Sequence, residues 1–317
     1  MCLEHENLMY AQFALSATNI LRTHPDDEDL YSARQNYFVL ALREQRKACA
    51  HIHSQNAEAV CLTSMVILHT SFAMIHERPL GNYNPPIEWL KMGRGAGAVM
   101  WKASAAVAPE MPASFKVFME SYQQVLSEQE LRVTLSHPFV TVYAAIGKQT
   151  ASDVLTDAYW RTLVYINNMQ GAIDSGDSVH VLGRRLQAFP MVVPTKFIDQ
   201  VELRDPCAFL VLAYYFAVAA QVDKEFWWLR GPKGDRTAAN ELRALNSHAM
   251  AVDESWDLIL LYKMSDSVLV TMVVHGVPMA KKVIAEQWKF GRWTGTQRDC
   301  RDGVPSNVGD ILLASSN

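Results

Sequence analysis

Between Cys207 and Val222 the chain runs 16 residues without a charged side chain, inside the stretch DPCAFLVLAYYFAVAAQVDKEFWW, and this run limits what the chain can fold into. A helix that crosses hydrocarbon needs about 20 residues, so the run is too short for a span and is expected to be a helix buried on most sides in protein. Asp205 is placed as its N-cap and Pro206 as its first residue, while Asp223, Lys224 and Glu225 restore charge at the far end. Tyr214 and Tyr215 each carry a hydroxyl that needs a partner if buried: a polar neighbour, solvent or a ligand.

A chain of 317 residues with 50% hydrophobic and 20% charged content is long enough for one large core or two modest ones. Its formal net charge of −4 supplies no basic field for a phosphate backbone or an anionic lipid surface. Direct nucleic-acid binding by this chain alone is therefore not expected. Cys2, Cys49, Cys61, Cys207 and Cys300 are scattered, with no close pair to start a metal site, and read as reduced thiols of an intracellular protein, cytoplasmic or nuclear. The first residues are acidic where a secretory signal would be basic, so no export is expected.

Apolar residues recur at helical spacing from Leu8 to Leu21 and, after the turn HPDDED, from about Leu30 to Ile52, which predicts a helical hairpin. A third helix follows, with Asn56 as its cap and Glu58 in its first turn. IEWLKMGRGAGAVMW is helical but carries Gly93, Gly95 and Gly97, which close packing or a local break should explain. Further helices are expected near Ala113–Leu126, from SHPFVTVYAAIG, over Asp153–Gly171 and over Ser178–Ala188. PMVVPTKFIDQVELRDP is read as a proline-bounded connection into the uncharged helix, GPKGDR as a break, and TAANELRALNSHAM as a last helix. No strand alternation appears before residue 264. The fold class is therefore all-α, a single multi-helix domain over residues 1–264. The appendage at 265–317 begins with a segment, SVLVTMVVHGVPM, β-branched enough for a strand as well as a helix.

The order of several segments resembles the C-terminal regulatory domain of fungal binuclear zinc-cluster transcription factors of the sterol-uptake-control type. The matching pieces are LMYAQFALSATNIL, YSARQNYFVLALREQRKA, NAEAVCLTSMVIL, EWLKMGRGAGAVMW, FPMVVPTKFI, DPCAFLVLAYYFAVAAQ, FWWL and ANELRALNSHA, which run in order from Leu8 to Leu261. The resemblance implies an all-helical fold, often a homodimer, around a deep apolar pocket for a sterol or similar lipid. The family's regulators begin with a six-cysteine zinc cluster, and this chain starts directly at the regulatory helix. It is expected either to be a fragment or co-regulator without its DNA reader, or a scaffold that works alone on an apolar metabolite.

Chemical motifs are sparse. There is no Walker loop, no nucleotide fingerprint and no helix-borne histidine pair at metal spacing. The glycines of GRGAGA follow helical sequence rather than a strand, so helix packing explains them better than a phosphate cradle. Arg94 among them is either a salt-bridged structural residue or a donor to a ligand carbonyl. His69 and His76 are seven residues apart, too far to share a metal easily; they are a buried hydrogen-bonded histidine and one near a helix end, or a proton-donating pocket wall. His137 reads as a surface residue in a first helical turn, Asp153 and Asp157 as dipole partners, and Ser16, Ser64, Ser71 and Ser104 lack the elbow of a catalytic serine.

Tyr214, Tyr215, Trp227 and Trp228 form the most informative cluster, because aromatic faces suit flat polycyclic or polyene ligands, although they equally suit a large core. An apolar cavity is expected there, walled by Met65, Phe72, Met100, Trp101, Trp227 and Trp228. With no metal or cofactor implied, the leading expectation is a cofactor-free cyclase or pericyclase of secondary metabolism, with Tyr214, Tyr215, His69 and Arg94 as donors. The other is a ligand sensor or co-regulator that acts on transcription through a DNA-binding partner.

Overall fold

In the computed structural model, the described residues are 4–78, 83–107, 115–116, 119–120, 139–149, 152–231, 237–252, 260–263 and 269–272. The chain divides into two units, 1–254 with 260–272, and 255–259 with 273–317; every described residue belongs to the first.

Helix boundaries follow local chemistry. α1 (Glu6–Leu21) and α2 (Glu28–Ala50) form the expected hairpin, and the Asp27 carboxylate caps α2 by accepting the Leu30 amide at 2.8 Å. α3 (Ala57–Ala73) continues as a 3-10 turn to Glu77. Asn56 holds the N-cap position of α3, but its side chain turns backward, accepting the His53 amide and donating to the His51 carbonyl, each at 2.9 Å. α4 (Ile87–Val107) and α5 (Phe139–Gln149) come next, then α6 (Asp153–Asp174), α7 (Val179–Val192), α8 (Thr195–Glu202), α9 (Pro206–Gln221) and α10 (Thr237–Val252).

The stretch read as a proline-bounded connection is instead largely helical: it holds the end of α7 and all of α8. A 109° bend then separates α8 from α9. Its corner is Arg204, a non-glycine residue in the left-handed region at φ 59°, where the Asp205 amide closes back on the Gln200 carbonyl at 2.9 Å. Asp205 then caps α9 as the sequence predicts, accepting the Ala208 amide at 3.0 Å with Pro206 at the first helical position.

α9 is the axis of the body. Every residue from Cys207 to Ala220 is buried, with α6, α8 and α10 packed around it. α3 plays the same part between α1, α2 and α4; with its 3-10 extension it is long and apolar enough to cross a membrane, but 72% of that stretch is buried inside the protein, as in a core helix. Buried polar links fix the registers. Asn7 donates to Gln45, which donates on to Ser64 and to the Val60 carbonyl, each at 2.8 Å, tying α1 and α2 to α3. Both Nη atoms of the buried Arg34 hold Glu77, and Glu241 on α10 accepts from Arg78 at 2.5 Å and from the Tyr83 hydroxyl at 2.9 Å.

Among the described residues the fold is all-α apart from one hairpin, β1 (Leu260–Lys263) against β2 (Leu269–Met272), antiparallel with Leu260 opposite Met272. β1 precedes residue 264, where no strand was expected, because LLYK is uniformly apolar before its lysine and shows no alternation to read. Of the helix expected near Ala113–Leu126, only residues 115–116 and 119–120 are described, and they are helical. His137, Cys2 and Cys300 lie outside the described residues, as does most of the predicted appendage.

Candidate functional site

Pro190 sits inside α7, where its missing N–H leaves the carbonyl of Leu186 without a backbone donor. The Tyr215 hydroxyl supplies that donor from α9 at 3.1 Å. One residue earlier, Tyr165 of α6 donates to the Arg185 carbonyl at 2.7 Å. The hydroxyl that the sequence requires to find a partner thus completes a broken helix ladder, and burial pushes its pKa well above the ordinary tyrosine value.

The same proline explains a glycine. A Cβ on Gly93 would stand 2.3 Å from the Pro190 Cβ and 2.7 Å from its backbone carbonyl carbon, and one on Gly97 would meet the Met191 carbonyl oxygen at 3.2 Å. α4 and α7 cross at those two glycines, whereas Gly95 faces open space. Arg94 donates to the Met191 carbonyl at 3.0 Å, placing a cation on an end of α7 whose last carbonyls lack helical donors. Among the described residues, the salt bridge considered for it from sequence is not formed.

An aromatic layer lies beneath this crossing. Tyr215 stacks on Phe189 with centroids 3.9 Å apart, Trp89 is 5.5 Å from Tyr215, Phe72 is 4.9 Å from Trp89, and Trp228 is 5.1 Å from Phe72. His69 ends the chain of rings, 5.1 Å from Trp228 and 5.4 Å from Trp227. The Gln187 amide donates to His69 Nδ1 at 2.5 Å, which puts the ring proton on Nε2, a buried atom with no hydrogen-bond partner among the described residues. Burial pushes the imidazole down to about 4, so His69 is neutral at physiological pH. Trp227 is only partly buried, and the Arg22 guanidinium lies 5.5 Å from its ring centroid.

The structure gathers some of the sequence-predicted residues and separates others. His69, Phe72, Tyr215, Trp227 and Trp228 share the aromatic layer. Tyr214 turns instead to Phe139 of α5, at 5.2 Å, because neighbouring positions on a helix face different ways. Arg94 is exposed on α4, and Trp101 on the same helix is 78% exposed, outside the layer, while Met65 and Met100 are buried. The other candidates take plain structural places. His76 meets the Ala73 carbonyl at 2.7 Å, Asp157 pairs with Arg161 at 2.9 Å, and Ser64, Ser71 and Ser104 bond to carbonyls of their own helices. Cys61 and Cys207 are buried free thiols pushed up to about 12 by burial. Among the described residues, no three His, Cys, Asp or Glu side chains come together as a metal site.

Sequence reasoning missed Gln187, Arg22 and Arg230. Only Pro190 carried a signal, since a proline in a helical frame marks the carbonyl four residues earlier as needing a partner.

No family model matches the sequence. Over 217 residues, 68% of this chain, it is 27% identical to the Zn(2)-C6 fungal-type transcription factor afumD of Aspergillus fumigatus. The chain is thus a distant homologue of a fungal zinc-cluster transcription factor, and the match spans 57% of that relative's length.

Proposed function

We propose that this chain is a regulatory body of fungal transcription, a ligand-sensing domain or co-regulator that acts through a DNA-binding partner in the nucleus. The observation that carries the reading is its homology to a Zn(2)-C6 transcription factor over 68% of its own length. It accords with a sequence of net charge −4 whose five cysteines are scattered, a composition unsuited to reading DNA directly. The sterol-uptake-control resemblance narrows the proposal to an apolar effector, a sterol, terpenoid or polyene, and to a homodimer. Cyclisation by Tyr214, Tyr215, His69 and Arg94 draws no support from the homology, and Tyr214 and Arg94 point away from the layer that holds the other two.

Chromatin immunoprecipitation of the tagged protein tests the proposal. Discrete promoters should be recovered, and recovery should vanish when a zinc-cluster protein that co-purifies with it is deleted. The purified chain should show no salt-sensitive nanomolar binding to those promoter sequences. Uniform background across the genome would overturn the reading.

A further inference from the structure

Thr18, Leu21 and Arg22 at the end of α1 face Tyr31 and Arg34 of α2 and Glu77 after α3 across a groove of about 180 Å3. Leu21, Pro25 and Tyr31 give it apolar walls. Its charges are unbalanced in a specific way. Arg34 is 1% exposed and spends both Nη atoms on Glu77, so that pair neutralises itself. Arg34 Nε is left buried with no hydrogen-bond partner among the described residues. Among the described residues no carboxylate pairs with Arg22: Nη1 reaches the neutral Asn19 side chain at 3.2 Å, and Nε is buried with no described partner. A second cation, Arg230, acts on it, and Arg230 donates to the backbone carbonyls of Asp223 and Lys224. Burial and that like charge both lower the Arg22 pKa. The remaining polar groups at the rim are committed, Thr18 to the Ala14 carbonyl at 2.8 Å and His76 Nδ1 to the Ala73 carbonyl at 2.7 Å.

We propose that this groove binds a small monocarboxylate with an apolar body, its carboxylate held by the Arg22 guanidinium and its body lying against Leu21, Pro25 and Tyr31. A carboxylate matches the planar guanidinium fork of Arg22, which lines the groove. The site touches the aromatic layer through Trp227, which the Arg22 guanidinium approaches, so occupancy would be felt at His69. The proposal needs no role in transcription, and its failure leaves the regulatory reading intact.

Isothermal titration of the full chain with benzoate and with its neutral analogue benzamide tests it. Benzoate should bind one to one, and benzamide about tenfold more weakly or worse. Arg22→Gln, at a partly exposed position, should lower benzoate affinity about tenfold or more in a chain that still unfolds cooperatively, and Arg22→Lys should restore part of it. Equal affinity for benzoate and benzamide, unaltered benzoate binding by Arg22→Gln, or no benzoate binding by the folded wild-type chain would each overturn the site. Should Arg22→Gln fail to fold, the benzoate and benzamide pair on the wild-type chain still decides.

Discussion

Tyr215 and Pro190 are joined through a third residue: the proline removes the donor for the Leu186 carbonyl, and the tyrosine hydroxyl, 3.1 Å away, replaces it. Two helices far apart in sequence complete one hydrogen-bond ladder. Removing that hydroxyl should therefore cost more than an ordinary tyrosine trimming. Tyr215→Phe keeps the ring stacked on Phe189 and leaves a buried carbonyl orphaned, for a loss of about 1–3 kcal/mol in urea unfolding. A second substitution, Pro190→Ala, restores a backbone donor, so Tyr215→Phe should cost less in that background.

Two of the three glycines of α4, Gly93 and Gly95, should respond in opposite directions. Gly93→Ala drives a methyl into Pro190, including its backbone, and should destabilise by about 1–3 kcal/mol or more. Gly95→Ala enters open space in an exposed helical position and should stabilise by up to about 1 kcal/mol. Thermal midpoints of the two variants check both signs. Equal shifts would contradict the crossing geometry.

Buried His69 sets a pH dependence whose sign follows from its depressed affinity for a proton. The ordinary value is 6.5 and the folded value about 4, so the unfolded chain binds the extra proton between them. The contribution is fully present above pH 6.5 and is lost as pH falls toward 4, at up to about 1.4 kcal/mol per pH unit. Glu241, which burial raises, acts in the opposite sense, gaining stability as pH falls through its raised value. The difference between wild type and His69→Phe isolates the histidine: it should be steep between pH 6.5 and 4 and flat above. A difference independent of pH would show that the imidazole is not buried neutral.

Glu241→Gln should loosen α10. It leaves the 23% exposed Arg78 without its carboxylate, although the Asn84 carbonyl still accepts from it. A loss of about 2 kcal/mol is expected, below the value for a wholly buried pair because solvent reaches the guanidinium. Hydrogen exchange should quicken in α10 before it does in α9.

Much of this was legible from local chemistry. The cap at Asp205, the start at Pro206 and the uncharged run announce a buried α9, and the glycines of α4 announce a close crossing. The site was less legible, for a physical reason. α9 is apolar all round, so its sequence gives no face on which to place Tyr214 apart from Tyr215. Pro190 looked like the edge of a connection because the hydroxyl that lets a helix tolerate it comes from 25 residues further along. The Arg78–Glu241 pair closes over a separation of 163 residues, and the approach of Arg22 to Trp227 has no local signature.

The central claim is that this chain regulates transcription through a partner's DNA reader, and a tethering assay tests it most directly. The full chain would be fused to a heterologous DNA-binding domain in a fungal host that lacks its own copy of the gene, upstream of a reporter carrying that domain's operator. The account predicts a reporter change of at least about tenfold, activation or repression, that needs the operator. Tyr215→Phe with Gly93→Ala, which weakens the α4–α7–α9 packing, should remove the change. A reporter level indistinguishable from the DNA-binding domain alone, with the fusion folded and nuclear, would contradict it.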